Sequence, residues 1–222
     1  MLTFVRLGDK QLDEAKGRLI EHLRSEVPDQ TVIQAMERVP RELFVPEESR
    51  HLAYVDIPVP IGEGQTISQP FIVALMIRAL ELKRTDRVLE IGSGSGYQAA
   101  VISELVDHVI GIERIQSLAD SARKRLACLH YNNVEIQYAE ERLGWERRAP
   151  YDAIIVAAGA PTLPRQLMEQ MSVGGRLVIP VGSLTSQELM KVTRIEKAYS
   201  VKTLGACRFV PLLGEGAWPE EE

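Results

Sequence analysis

The sequence is poor in the residues that build metal sites and disulfide frameworks. It has only two cysteines, Cys128 and Cys207, which stand far apart without a CxxC pair. Its four histidines are scattered: His22, His51, His108 and His130. Because zinc sites and disulfide-bonded domains need such residues at short spacings, we expect no metal site. We interpret the cysteines as small apolar core residues and the histidines as structural or solvated.

Long apolar runs and an excess of positive charge are also absent. No run of about 18 consecutive apolar residues occurs, and the N-terminus turns polar after its first few residues. We therefore expect neither a membrane span nor a signal peptide, and a cytoplasmic protein. The formal net charge of -5 argues against a nonspecific nucleic-acid binder, which normally carries a basic face. We also expect a monomer.

The first part of the chain shows apolar residues at helical spacing. This pattern predicts helices over residues 10–26, 29–39 and 70–83, the last as "PFIVALMIRALEL". Residues 50–69 contain two prolines and two glycines within seven positions. They predict a loop rather than a core element.

From about residue 84, strand-like and helical segments alternate. The strand candidates are "RVLEI", "HVIGI", "VEIQY", "DAIIVA" and "RLVIP", and the helices between them fall near residues 97–105, 115–129 and 164–171. This alternation predicts a doubly wound, Rossmann-like α/β fold with a mostly parallel sheet. Two further strand candidates, "ELMKVTRIE" and "VKTLGACRFVPL", have no helix between them and predict a C-terminal antiparallel hairpin. We expect the final "WPEEE" to be frayed.

The turn after the first of these strands is rich in glycine. It reads "VLEIGSGSGYQAA", with Gly92, Gly94 and Gly96 in alternation. In a doubly wound sheet this turn lies against the ligand. A dinucleotide fingerprint is G-x-G-x-x-G, but here the third glycine comes one residue early and Tyr97 takes its place. The tighter turn, preceded by Glu90, indicates a cofactor without a pyrophosphate.

The next strand supplies a second signal at its end. Glu113 closes "HVIGIE", 21 residues after Gly92, and an acidic residue near that spacing accepts hydrogen bonds from a ribose. The alternative is a glutamate that simply faces water. A ribose without a pyrophosphate indicates S-adenosylmethionine and hence a methyltransferase. The predicted cofactor residues are then Glu90, Gly92, Ser93, Gly94, Gly96 and Glu113. A nicotinamide dehydrogenase is disfavoured, because Tyr97 replaces the glycine and no hydride-site base is visible.

Beyond these residues, the chain resembles the protein-L-isoaspartate (D-aspartate) O-methyltransferase family over nearly its whole length. The most specific segment is "PVPIGEGQTISQPFIVALM", ahead of the glycine turn. The segments "RVPRELFVP", "VLEIGSGSGYQ", "LGWERRAPYDAIIV", "GGRLVIPVG" and "RFVPL" are also similar in order and spacing. The resemblance implies methyl transfer from S-adenosylmethionine to the α-carboxylate of L-isoaspartyl residues in damaged proteins and peptides. The resulting ester collapses to a succinimide, which hydrolyses partly to normal aspartate.

The resemblance also implies site residues around the motif "TISQP". It assigns Ser68 as the catalytic residue and residues Thr66, Ile67, Ser68 and Gln69 to substrate binding. A competing interpretation makes Ser68 or Gln69 the cap of the helix that begins at Pro70. Gly62 and Gly64 would let this loop bend over a substrate, or would simply form a turn.

Three consecutive residues depart from the family pattern. Ala139, Glu140 and Glu141 stand where the family usually shows Gly-Asp-Gly. Glu140 would accept a hydrogen bond from the adenine amino group, with one more methylene of reach. Two alternatives to repair activity follow: a related methyltransferase with one specific peptide substrate, and a non-catalytic binding module.

The organisation expected from all this is a single methyltransferase domain over residues 1–222. Residues 1–83 form an N-terminal helical and substrate-loop segment, and residues 84–222 form the cofactor-binding α/β core. No general base is expected, because a carboxylate with an ordinary pKa of about 3.9 is already ionised at neutral pH.

Overall fold

The computed structural model describes residues 9–140 and 142–219. Six α-helices lie within these residues: α1 (Asp9–Glu26), α2 (Gln30–Arg38), α3 (Pro70–Leu80), α4 (Tyr97–Ser103), α5 (Gln116–Cys128) and α6 (Arg165–Glu169). The same residues form nine strands: β1 (Val59–Gly62), β2 (Gln65–Ile67), β3 (Arg87–Ile91), β4 (His108–Glu113), β5 (Val134–Tyr138), β6 (Tyr151–Val156), β7 (Met171–Gly182), β8 (Gln187–Ile195) and β9 (Ala198–Cys207). None of the helices in these two ranges has the length and apolar character of a membrane span.

A seven-stranded sheet organises the molecule, with strand order β5-β4-β3-β6-β7-β8-β9. The strands from β5 to β7 run parallel, while β8 and β9 pair antiparallel at one edge. The chain runs outward from β3 to β5 and then returns to the other side of β3 as β6. The predicted doubly wound sheet with a C-terminal hairpin is confirmed, and strand order reverses between β3 and β6.

Apolar side chains fill both faces of this sheet. On β3, Val88 packs in the cluster formed with the N-terminal helices, while Leu89 packs in the cluster on the opposite face. Because successive side chains of a strand point to opposite faces, a strand that is apolar at both positions is buried on both sides. The run "RVLEI" therefore places β3 in the middle of the sheet.

The predicted N-terminal helices are present, with ends set by local chemistry. Asp29 caps α2, since its Oδ1 accepts the backbone N–H groups of Thr31 and Val32 at 3.0 and 3.2 Å. Helix α3 begins with Pro70 and ends at Leu80, three residues before the predicted end. It stops there because Glu81 adopts a left-handed conformation with φ +51°.

The prediction of a loop rather than a core element over residues 50–69 is wrong. A 3₁₀ helix runs from Glu47 to Leu52, and β1 and β2 then pair as a hairpin in which Val59 faces Ile67. Both of these side chains are buried. Gly62 and Gly64, with φ of +94° and +68°, form the hairpin turn rather than breaking structure.

The last predicted strand is also shorter than expected. Strand β9 ends at Cys207, whereas the prediction ran to residue 212. The chain leaves the sheet because Phe209 donates its N–H to Gln187 Oε1 at 2.8 Å, and Leu212 donates to the Gly159 carbonyl at 2.8 Å. These bonds carry residues 208–214 to the carboxyl ends of the parallel strands.

Two smaller predictions need correction. Cys128 ends α5 on its exposed side, so it is not a core residue, while Cys207 is half-buried. In the tail, Trp218 is attached rather than frayed, because its Nε1 donates to the Gly159 carbonyl at 3.1 Å. Glu220 to Glu222 lie outside the described residues.

Candidate active site

A cavity of about 510 Å³ opens where the strand order reverses. This is the position at which doubly wound sheets bind ligands, and the volume is in the range of small-molecule sites. Three groups of residues line it. They are the glycine turn with the ends of β4 to β6, the hairpin residues 65–68, and residues 210–214 from the segment after β9.

The glycine turn follows β3 directly and bends sharply into α4. Gly92, Gly94 and Gly96 have φ of +84°, +52° and +86°, a region that side chains strain to adopt. A β-carbon on Gly96 would also lie 3.2 Å from Leu126 Cδ1 of α5. The third glycine therefore serves helix packing, while Gly92 and Gly94 line the cavity.

The hairpin β1–β2 lies over this turn. A β-carbon on Gly94 would be 3.2 Å from Ile61 Cδ1, so glycine lets the two segments approach closely. At the hairpin tip, Glu63 Oε1 accepts a hydrogen bond from the Ser117 hydroxyl of α5 at 2.8 Å. The hairpin thus covers one side of the cavity.

Glu113 holds the turn from the neighbouring strand. The side chain is buried, with one carboxylate oxygen accepting the Gly94 N–H at 2.7 Å and the other accepting the Ile115 N–H at 2.9 Å. Each carboxylate oxygen has a second lone pair, so Glu113 can also accept hydroxyl groups from a ligand in the cavity. The alternative of a glutamate that faces water does not hold.

Glu90 lies beneath the turn and outside the cavity lining. It is fully buried, and neither carboxylate oxygen has a hydrogen-bond partner within the described residues. It stands over Gly111 of β4, where a β-carbon would lie 3.3 Å from Glu90 Oε2 and 2.4 Å from Ser93 Oγ. Gly111 therefore makes the room for both side chains. Burial raises the pKa of Glu90 to about 7, Ser93 opposes this shift, and the charge of Glu113 adds to it.

This raised pKa predicts a stability that falls as pH rises. The unfolded chain releases the Glu90 proton near its ordinary pKa of 4.5, whereas the folded chain keeps it until about pH 7. Over that window Glu90 should lower the free energy of unfolding by about 3 kcal/mol. We expect Glu90→Gln to be more stable than the wild type at pH 8. Its free energy of unfolding should also lack the decrease with rising pH that Glu90 causes, which is the slope compared here. Urea unfolding of the cofactor-free protein at several pH values measures it.

The matched control is Glu48→Gln, which changes an exposed glutamate in the same way. This control should keep the wild-type slope. An unchanged slope in Glu90→Gln would mean that Glu90 is ionised in the folded protein throughout the range.

Ser68 lines the cavity directly after the hairpin strand β2. Its hydroxyl donates to no other described residue. The cap of α3 comes from elsewhere, because Asp56 Oδ1 accepts the Phe71 N–H at 2.8 Å. Gln69 occupies the cap position without a side-chain capping bond, and donates instead to Asp56 Oδ2 at 2.8 Å. Gln69 is therefore the cap of α3 by position, as one of the two alternatives had it, but neither Ser68 nor Gln69 caps the helix with its side chain.

Glu140 lies at the rim of the same cavity. Its carboxylate is 2.6 Å from Arg147 Nη2, and the Arg147 guanidinium stacks on Trp145 with 5.3 Å to the ring centroid. The side chain is 44% exposed, so the ion pair orients Glu140 without burying it. Glu141 lies outside the described residues.

Most of the predicted site residues meet in this cavity. Those that line it are Thr66, Ile67, Ser68, Gly92, Ser93, Gly94, Glu113 and Glu140. Glu90, Gly96 and Gln69 do not line it. Sequence reasoning missed Ala157 and Ala158, although their place at the end of the central strand "DAIIVA" could have indicated them.

These residues fit S-adenosylmethionine. Ser93 lines the cavity as part of the turn, while its hydroxyl is buried beside Glu90 over Gly111. Glu113 offers acceptors to a ribose, and the glycine turn brings backbone within reach of the cofactor. No group of three metal-ligating side chains occurs in the described ranges.

Comparisons with known proteins agree with this site. A family described as protein-L-isoaspartate (D-aspartate) O-methyltransferase matches residues 14–217. A protein-L-isoaspartate O-methyltransferase 2 from Marinobacter nauticus is 55% identical over 195 residues, or 87% of this chain and 89% of the relative. A protein-L-isoaspartate O-methyltransferase from Geobacter metallireducens is 49% identical over 213 residues, or 95% of this chain and 99% of the relative.

A solved structure is also similar. It comes from Plasmodium falciparum and is described as a protein-L-isoaspartate O-methyltransferase in complex with S-adenosyl-L-homocysteine. The TM-score is 0.75 and the identity 28%, covering 87% of this chain and 95% of that one. That protein therefore binds the demethylated form of the predicted cofactor on the same fold.

Proposed function

The chain belongs to the protein-L-isoaspartate (D-aspartate) O-methyltransferase family, and from that premise we propose how its residues methylate isoaspartyl residues. The activity is repair methylation: transfer of a methyl group from S-adenosylmethionine to the α-carboxylate of L-isoaspartyl residues. The observation that carries the residue assignment is that residues 66–68 of the "TISQP" loop and the glycine turn line one cavity.

The cofactor residues act by hydrogen bonding and close backbone contact. Glu113 accepts the ribose hydroxyls while it keeps its bonds to Gly94 and Ile115. Ser93 borders the amino-acid end as part of the glycine turn, and Glu140 accepts a hydrogen bond from the adenine amino group. Bound S-adenosylmethionine supplies an electrophilic methyl group on a sulfonium cation. Glu90 acts from below the turn, by supporting Ser93 rather than by touching the cofactor.

The substrate residues hold an extended stretch of polypeptide. Ser68 donates its hydroxyl to the isoaspartyl carboxylate, and Thr66 and Ile67 contact the substrate through their backbone. Gln69 contributes indirectly, because its bond to Asp56 fixes the loop end. Main-chain contacts suit this task, since isoaspartyl sites arise in many sequences. Gly62 and Gly64 let the hairpin tip move as a lid.

The chemistry needs orientation more than acid–base catalysis. The substrate carboxylate is ionised at neutral pH, so no side chain has to remove a proton. Holding the reacting atoms in line can contribute roughly 7–11 kcal/mol of the barrier. Ser68 and the glycine turn therefore act by position.

The protein is proposed to work as a cytoplasmic monomer on polypeptides, without nucleic acid. The apolar side chains of the sheet and its helices pack mostly into the two core clusters, which supports the monomer. The free thiols of Cys128 and Cys207 fit a reducing compartment. The net charge of -5 disfavours a nucleic-acid partner.

A panel of isoaspartyl peptides with unrelated flanking sequences tests the repair function. Each peptide is paired with its normal aspartyl twin, and methyl transfer is followed with labelled S-adenosylmethionine. We expect transfer to most isoaspartyl peptides and to none of the twins, because the loop grips the main chain.

Transfer to only one peptide would indicate a methyltransferase with a specific substrate. Binding of cofactor without transfer to any peptide would indicate a non-catalytic module. Either result contradicts the repair function, and mass spectrometry of the product shows which carboxylate carries the methyl group.

A further inference from the structure

We propose that Arg41 is a positioning residue that ties the substrate loop to the cofactor turn. The inference rests on the proposed function, because it concerns the two segments that bring the reactants together. Arg41 lies in the 3₁₀ helix Arg41–Leu43, in the segment "RVPRELFVP", and it does not line the cavity. It acts through Ser68 and Tyr97, which do.

Arg41 is a buried cation without a carboxylate partner. Its side chain is 1% exposed, and no ion pair involves it within the described residues. Desolvation lowers the pKa of the guanidinium, while Tyr97 opposes that shift. Nη1 has no hydrogen-bond partner among the described residues, so the cost of burying this charge is offset mainly by the bonds that Nε and Nη2 make.

Those hydrogen bonds close the substrate loop at its base. Nε donates to the carbonyl of Ala53 at 2.9 Å, and Nη2 donates to the carbonyl of Ser68 at 2.7 Å. Ala53 and Ser68 stand at the two ends of the excursion that contains the β1–β2 hairpin. One planar guanidinium therefore holds both ends of the segment that carries the predicted catalytic serine.

The same guanidinium reaches the cofactor turn through an aromatic pair. It stacks over Tyr97, the first residue of α4, at 4.7 Å from the ring centroid. Tyr97 meets Phe44 edge to face at 5.6 Å between centroids, and Arg125 lies over Phe44 at 5.9 Å. Arg125 Nη1 in turn donates to the Ser95 carbonyl at 2.8 Å. The stack thus connects Ser68 with the glycine turn.

This connection bears on catalysis because the methyl group moves between the two segments. The glycine turn fixes the donor and the loop fixes the acceptor, so an in-line approach depends on their separation. Loss of the Arg41 fork would leave the Ser68 and Ala53 carbonyls unpaired and would let the loop move relative to the turn. Cofactor binding, which uses Glu113 and the turn, would be largely unaffected.

The test compares three variants. Arg41→Met removes the charge and both hydrogen bonds at similar volume. Arg41→Lys keeps the charge, but its single amino group cannot hold the Ala53 and Ser68 carbonyls in the geometry of the planar guanidinium. The matched control is Arg176→Met. Arg176 is another mostly buried arginine, which donates to the carbonyls of Leu80 and Asp152 at the opposite, amino ends of the strands.

Three quantities are measured at a temperature where each variant is folded. They are kcat/KM for an isoaspartyl peptide, the Kd for S-adenosylhomocysteine, and hydrogen exchange of residues 53–69. For Arg41→Met we expect kcat/KM to fall on the order of 10-fold or more, with faster exchange of that segment and a Kd close to wild type. Arg41→Lys should show the same changes in smaller measure, and Arg176→Met should show none of them.

A parallel loss of activity and cofactor affinity in both Met variants would reduce Arg41 to a structural residue. Unchanged exchange of residues 53–69, or full activity in Arg41→Lys, would also overturn the inference. If Arg41→Met does not fold, Arg41→Lys decides. If the wild type methylates no isoaspartyl peptide, the proposed function fails, while the exchange comparison still decides whether Arg41 holds the loop.

Discussion

Replacing Glu113 with alanine is expected to weaken S-adenosylmethionine binding by roughly 100-fold or more, because at least two charge-assisted hydrogen bonds are lost at ~1.5–3 kcal/mol each. The carboxylate would take ribose hydroxyls from the cavity side. It also accepts the Gly94 and Ile115 N–H groups from the protein side. Removing it therefore deletes a ligand contact and releases the turn at once. Isothermal titration of cofactor into the folded variant measures the effect.

Two further variants define what is lost. Glu113→Asp keeps the charge on a shorter side chain that cannot reach both N–H groups and the ribose, so its affinity should be intermediate. Glu37→Ala removes an exposed glutamate that pairs with Arg24 on the helical side of the molecule, and should bind as the wild type does. An affinity of Glu113→Ala close to wild type would show that the ribose lies elsewhere.

Replacing Ser68 with alanine is expected to lower kcat/KM for an isoaspartyl peptide on the order of 100-fold. The hydroxyl has no hydrogen-bond partner among the described residues, and Ser68 lines the same cavity as the glycine turn. A hydrogen bond to the attacking oxygen would reduce its nucleophilicity, so we expect the hydroxyl to hold the carboxylate in line rather than to activate it. Cofactor affinity should not change. Steady-state kinetics together with cofactor titration separate the two quantities.

The conservative variant is Ser68→Thr, which keeps the hydroxyl and should recover part of the activity. Ser25→Ala removes a hydroxyl that donates to the His22 carbonyl on exposed α1, and it should leave the kinetics unchanged. Wild-type kinetics in Ser68→Ala would mean that backbone groups alone orient the substrate.

Sequence patterns predicted the sheet well because its signals are local. Strands such as "RVLEI" and "DAIIVA" are apolar at successive positions, which is what burial on both faces requires. The hairpin at residues 59–67 was missed because its glycines resemble loop residues. The hairpin is formed by the pairing of Val59 with Ile67 and held at its tip by the hydrogen bond from Ser117 of α5 to Glu63, and neither is visible as a local pattern.

The candidate site residues also divide into those that local spacing predicts correctly and those whose role only the fold shows. The glycine turn and Glu113 lie at characteristic spacings in a strand–turn–helix pattern, so the sequence alone indicates them. In the structure the Gly94 N–H donates to Glu113. The motifs predict that Gln69 and Gly96 contact ligands. In the structure Gln69 donates a hydrogen bond to Asp56, and Gly96 leaves room for the side chain of Leu126. A motif records that a residue type is needed at a position, and only the fold shows what the side chain contacts.

Arg41 illustrates the limit of reading side chains by type. An arginine side chain is usually solvated, and the apolar neighbours of Arg41 in "RVPRELFVP" do not show that its own side chain is buried. Its partners are the carbonyls of Ala53 and Ser68 and the ring of Tyr97, all distant along the chain. Because Ala53 and Ser68 accept through their backbone carbonyls, their residue types do not indicate that they bind Arg41.

The central claim is that one cavity holds S-adenosylmethionine and the isoaspartyl carboxylate together. It is tested most directly by titrating S-adenosylmethionine and S-adenosylhomocysteine into the purified protein, and then following methyl transfer to an isoaspartyl peptide and its aspartyl twin. We predict saturable binding of both cofactor forms and methyl transfer to the isoaspartyl peptide alone. Glu140 should accept a hydrogen bond from the adenine amino group. Absence of binding even at high cofactor concentration would contradict the central claim, because residues 139–141 would then close the adenine site.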